Sequence, residues 1–217
     1  MNNWVKNKPK IEYTQKNGIY EKDEITEALK RIKRFLVESN IELHPATKQD
    51  VDNFEKTNHI LLPLAYRRFI LEITDGISKG ESFSIPKLID QKINKDLSAP
   101  FPLKNFWAAE GETELDDEIF EKALNEVNNY GQISLDEEGC LWSLIVSGEC
   151  NGEVWNVGNW NTWHFTSLLF PRRDFLSWYE WCIDNNIDIN NGNDVVDKAL
   201  SYFLDDFWER YNDYNRS

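Results

Sequence analysis

The stretch Gly131–Val157, GQISLDEEGCLWSLIVSGECNGEVWNV, decides the fold class. Gly131 to Leu135 reads as a strand and Asp136 to Gly139 as a turn. Cys140 to Val146 is a continuous apolar, β-rich run. Ser147 to Gly152 holds two glycines and reads as a second turn, and Val154 to Val157 completes a meander. Strands joined by such short turns pair antiparallel, so Val154–Val157 is expected against the strand before it. Gly152 is expected to hold a positive φ, the conformation for which a turn selects glycine. The sheet must bury at least one face, and the flanking segments supply helices to cover it.

Working outward, Ile25, Leu29, Ile32 and Leu36 recur at spacings of four, three and four, one face of a helix. A second helix is predicted from Thr47, where Thr47 and Asp50 resemble a capping box ahead of Val51 and Phe54. Pro63 suits the first turn of a third helix, with Tyr66, Phe69, Ile70 and Ile73 inward and Gly76 as its left-handed stop. Residues 77–106 lack helical period, with one short strand expected at Ser82 to Ile85. A fourth helix fits Asp116 to Asn128. After Pro171 comes a helix with Phe175, Trp178, Tyr179 and Cys182 on one side. A last helix is predicted from about Asp194, its stripe running from Val196 to Tyr211. These elements divide the chain into a polar lead-in at 1–23, a domain at 24–185 and a C-terminal helix at 186–217 that packs back on the domain or forms a homodimer. Helices flanking a run of strands make the fold class α+β.

The chain has 217 residues, enough for a substantial core, and its 29 aromatic residues argue against disorder. It carries 38 acidic residues against 24 basic ones, a net charge of −14. That balance opposes non-specific nucleic-acid binding and docking on anionic lipid, and it favours a cationic partner. Cys140, Cys150 and Cys182 form neither a disulfide framework nor a CxxC pair. The start MNNWVKNKPK lacks the apolar stretch of a signal peptide, and no run has the ~18 apolar residues of a membrane helix. A cytoplasmic protein with reduced thiols is expected.

Catalytic motifs are weak. Gly76-Ile77-Ser78-Lys79-Gly80 matches GxSxG, but a helix enters it where a nucleophile elbow needs a strand. His44, His59 and His164 lack metal-ligand spacing; His59 suits a helix end, and His164, between Trp163 and Phe165, suits a strand. Glu149 and Glu153 beside Trp155, Trp160 and Trp163 are the nearest approach to a glycosidase pair, in a chain rich in acids. No catalytic residue, metal or cofactor is expected.

The densest feature is acidic. Glu110, Glu112, Glu114, Asp116, Asp117, Glu118, Glu121 and Glu126 stand against Lys122 alone, half the chain's net charge. Acids in a helix's first turn stabilise its dipole by about 0.3–1 kcal/mol each, which accounts for two or three of them. The rest repel one another unless a cation meets them. Asp136, Glu137 and Glu138 form a second acidic spot in the hairpin turn. Trp107, beside the run, reads as an interface anchor or as core packing against the third helix.

LPLAYRRFILEITDG (62–76), GCLWSLIVSGECNGEVWNV (139–157) and FLSWYEWCID (175–184), in this order and spacing, resemble the SUKH superfamily, in the branch named for fungal regulators of cell-wall glucan synthesis. The marks are Leu62-Pro63, Tyr66-Arg67 and Phe69; Gly131, Gly139, Ser147-Gly148, Gly152 and Trp155; and Phe175-Leu176 with Trp178-Tyr179. PFPLKNFW (100–107) before an acidic run also looks like bacterial members, whereas Thr74-Asp75-Gly76 replaces a common Asn-Gly-Gly. The resemblance covers roughly residues 24–185. It implies a curved, largely antiparallel sheet packed with helices and no catalytic residues. It further implies an immunity protein that neutralises a toxin, often a nuclease, or else a regulatory scaffold of the cell envelope. A basic nuclease would complement the acids at Glu110, Glu112, Glu114, Asp116, Asp117, Glu118, Asp136, Glu137 and Glu138, with Trp107 as anchor.

Overall fold

The computed structural model of the chain describes residues 20–78, 84–89, 95–104, 107–109, 122, 125–136, 142–159, 162–167 and 174–185. Its elements are α1 (Lys22–Glu38), α2 (Lys48–Asn58), α3 (Leu64–Glu72), β1 (Trp107–Ala109), β2 (Gln132–Ser134), β3 (Trp142–Ile145), β4 (Val154–Asn159), β5 (Thr162–Ser167) and α4 (Phe175–Asn185). The fold is α+β. The sheet has the order β1-β5-β4-β3-β2, antiparallel throughout.

The predicted meander is the β2–β3–β4 portion of this sheet, in register through Ile133↔Leu144 and Leu144↔Val154. The structure adds two strands. β5 pairs with β4 and contains His164, and β1 closes the edge through Trp107↔Phe165. The uninterrupted apolar character of Cys140 to Val146 has a physical cause, because β3 is covered on both faces. Trp142 and Leu144 enter the main core with Ile133 and Val154. Ile145 joins Trp155, Phe101, Val127 and Cys150 in a second cluster beneath the 95–104 segment. Phe101 and Trp155 meet edge-to-face at 5.2 Å.

Helices cover the first face. Ile25, Ala28, Leu29, Ile32 and Leu36 line the inner side of α1, which packs on α3 and α4. Phe175 is the centre of the contact, with Tyr66 at 4.8 Å, Phe69 at 4.9 Å and Tyr179 stacked at 5.8 Å. Most of α4 is buried, including Trp178, whose ring lies 5.4 Å from Trp142. Offset and edge-to-face contacts of this kind are each worth about 0.5–1.5 kcal/mol beyond the area they bury.

Several local expectations are refined. Thr47 caps α2 by accepting from the Asp50 amide at 3.1 Å, while the Asp50 carboxylate takes the Thr47 hydroxyl at 2.6 Å and not the Thr47 amide. His59 ends α2 in the left-handed region, φ 54°. Pro63 is the N-cap of α3 and not its first helical residue. Gly76 has φ +85° but does not stop that helix, which ends at Glu72. A side chain at Gly76 would lie 2.8 Å from the Lys87 amide nitrogen, so glycine there permits a close backbone approach. The segment predicted as a strand at Ser82 to Ile85 contributes one bridge, Ile77↔Ile85, among the described residues. Residue 122 and residues 125–129 are helical; the other residues of the predicted fourth helix and the last helix from Asp194 lie outside the described residues.

Candidate interaction surface

The predicted acidic surface is met first at the sheet edge. β1 pairs with β5 on one side and, among the described residues, has no strand on the other. It ends at Ala109, one residue before Glu110. Trp107 lies on this outer strand, opposite Phe165 in the register. Glu110, Glu112, Glu114, Asp116, Asp117 and Glu118 lie outside the described residues, as do Glu137 and Glu138. At the far end of the run Glu126 is half-buried, and the Lys122 ammonium lies 4.0 Å from its carboxylate.

Asp136 is not part of an open acidic surface. It is 2% exposed, and its carboxylate accepts from the Trp142 amide at 2.8 Å, closing the β2–β3 connection. The hairpin register brings the Trp142 end of β3 back toward Asp136, so the side chain serves the backbone. Nearby, the Lys95 ammonium donates to Ser134 Oγ at 3.2 Å. Burial pushes the Lys95 amine down, and the charge of Asp136 opposes that shift.

The acids of the glycosidase alternative separate. Glu149 is exposed in the β3–β4 turn and pairs with Lys104 at 2.5 Å. Glu153 is 4% exposed and accepts from Trp155 Nε1 at 3.0 Å. One carboxylate faces water and the other is committed to an indole, so they do not present a matched pair to a common substrate. No group of three or more metal-ligating side chains occurs among the described residues, and none of their helices is long and apolar enough to cross a membrane.

Two features escaped the sequence reading. The first is an apolar corner between α2 and α3, where Leu61 is 78% and Leu64 47% exposed beside an open depression lined by Asp52, Glu55, Lys56, His59 and Ile60. Buried Glu55 rigidifies it by accepting from the Leu62 amide at 2.9 Å and from Arg67 Nε at 3.1 Å, while Arg67 also reaches Asp52 at 2.6 Å. The available signal was Leu61-Leu62-Pro63-Leu64, four apolar residues of which helical period places only some inward. The second is a buried polar tie from the start of the domain to α4. Glu180 accepts from Arg31 at 2.7 Å and 3.0 Å and from the Tyr20 hydroxyl. Asp174 accepts from the Tyr20 amide at 2.7 Å and the Ser177 amide at 2.9 Å. Burial pushes the Asp174 carboxyl up, against the lowering effect of those donors.

No family model matches the chain, and no curated protein or solved structure matches it.

Proposed function

We propose that the protein is a cytoplasmic immunity protein of SUKH type, which binds a cognate toxin domain, a basic nuclease, and blocks it through an acidic surface. The observation that carries the reading is the outer strand β1 leading directly into the run from Glu110 to Glu126, eight acids against one lysine. Such a concentration of like charge is costly on a free surface and useful against a cationic one. The edge of β1 next to it, which has no partner strand among the described residues, offers backbone groups for pairing. The family marks agree with this reading. Tyr66, Phe69, Phe175, Trp178 and Tyr179 form one core, and Gly131, Gly148 and Gly152 all hold positive φ at the sheet's turns.

The test is co-expression with the product of the adjacent gene. The expected result is a stoichiometric complex and loss of that product's nuclease activity at equal amounts. A neighbour whose activity persists and which forms no complex with the protein would sink the proposal. Binding without inhibition would instead favour the scaffold role.

A further inference from the structure

One lysine of this protein stands apart from the others. Among the described residues every lysine except Lys95 is exposed. Lys95 is half-buried where the 95–104 segment meets β2, and its ammonium donates to Ser134 Oγ at 3.2 Å. That acceptor is neutral. No carboxylate among the described residues pairs with Lys95 in the way that Glu27, Asp52 and Glu149 pair with Lys30, Lys48 and Lys104. A cation withdrawn from water without an ion-pair partner is disfavoured against its neutral form.

The charges around Lys95 are few. Asp136 faces it from the end of β2, but that carboxylate is committed to the Trp142 amide at 2.8 Å. Asp96, the next residue, turns its carboxylate to the Ser98 amide at 3.0 Å and the Ala99 amide at 3.1 Å. Desolvation outweighs the attraction of Asp136, and the Lys95 amine is held below its ordinary value. A lysine relieved of its proton in this way is a nucleophile.

We propose that Lys95 is a modification site, the amine that a small, uncharged acetyl thioester acylates ahead of the exposed lysines. The amine lone pair attacks the carbonyl carbon and forms a C–N bond. The C–S bond breaks, and its electron pair leaves on sulfur. The nitrogen's proton passes by way of the Ser134 hydroxyl to water, and the thiolate takes a proton up, so the products are an amide and a thiol. Half-burial selects a small donor, and Asp136 with the net charge of −14 disfavours an anionic one such as an acyl phosphate. The modification removes a positive charge from the start of a segment tied to the sheet by Asp96, whose amide donates to the Asn129 carbonyl at 2.9 Å and whose carbonyl accepts from the Gly131 amide at 2.9 Å. It therefore acts on the cover of the second core cluster. The inference does not rest on the toxin reading.

The test is incubation of the full chain with S-acetyl-N-acetylcysteamine, with the rate at each lysine followed by peptide mass spectrometry as pH is raised from neutral. The expected result is acetylation of Lys95 severalfold faster than of Lys30, Lys48 and Lys104, with a rate that levels off at lower pH than theirs. The preference vanishes in urea, where the site is unfolded. Asp136→Asn keeps an oxygen for the Trp142 amide and removes the charge that favours the ammonium, so the Lys95 rate at neutral pH rises further. Circular dichroism verifies the fold of that variant. A Lys95 rate no greater than that of the exposed lysines, or a preference that persists in urea, overturns the proposal. So does an unchanged rate at neutral pH in the folded Asp136→Asn variant.

Discussion

Gly131 and Gly152 separate two reasons for keeping a glycine. Both hold positive φ, +61° and +95°. At Gly152 a Cβ would meet only Pro63 Cβ at 3.7 Å, an ordinary contact, so the backbone conformation alone sets the cost. At Gly131 a Cβ would lie 2.6 Å from the Phe101 amide nitrogen and 2.7 Å from the Ala99 carbonyl oxygen, and neither can move without breaking the 95–104 segment away from the sheet. Gly152→Ala should therefore lose about 1–2 kcal/mol of stability in urea denaturation, and Gly131→Ala clearly more. Equal losses would mean that the close approach at Gly131 relaxes at little cost. Asp136 offers a second check. Asp136→Ala leaves the buried Trp142 amide without its carboxylate and Lys95 without a counter-charge, an expected loss of about 1–3 kcal/mol. A surface acid would cost less than about 0.5 kcal/mol, so the same denaturation curve discriminates the two.

At the level of elements, α4 joins the two ends of the described domain. Asp174 caps its first turn and holds the Tyr20 amide as well. Burial raises the Asp174 carboxyl above its unfolded value of 3.8, so between that value and its folded pKa the native state binds the proton more strongly. Stability contributed by this group accordingly rises as pH falls through that window and declines as pH rises. Comparing wild type with Asp174→Asn across mildly acidic pH should show the rise in the wild type alone; parallel profiles would mean that Asp174 does not titrate there. Helix α1 was legible because Ile25, Leu29, Ile32 and Leu36 repeat at helical spacing and one side is water. The meander was legible because glycines mark its turns. Strand β1 was not, because three residues are too few to establish a period of two. The role of Asp136 was hidden for a related reason: with Glu137 and Glu138 it reads as one solvated acidic cluster. Only the hairpin register shows that the first of the three turns inward to a backbone amide. The tie of Glu180 to Arg31 and Tyr20 spans about 150 residues, a separation at which no local pattern exists.

For the molecule as a whole, the distribution of charge controls encounter. If the run beyond β1 meets a basic toxin, replacing Glu114, Asp117 and Glu118 together by Lys should slow association severalfold and flatten its dependence on salt, because rim charges act mainly on the rate of encounter. Stopped-flow mixing with the purified toxin domain at several salt concentrations measures both quantities. An unchanged rate and salt slope in a folded variant would move the contact to another surface, with the Leu61 and Leu64 corner next in line. The long-range closure of the fold has a consequence during synthesis. Tyr20 finds its partners 154 and 160 residues later, and α1 shares its core with α4. Helix α1 therefore has no complete surface to rest on until α4 has followed it out of the ribosome. Its inner face, with Ile25, Leu29, Ile32 and Leu36, stays exposed on the nascent chain for nearly the whole translation of the described domain. At about 5–20 residues per second that is roughly ten seconds or more, an interval in which a chaperone has a binding site that the finished protein lacks.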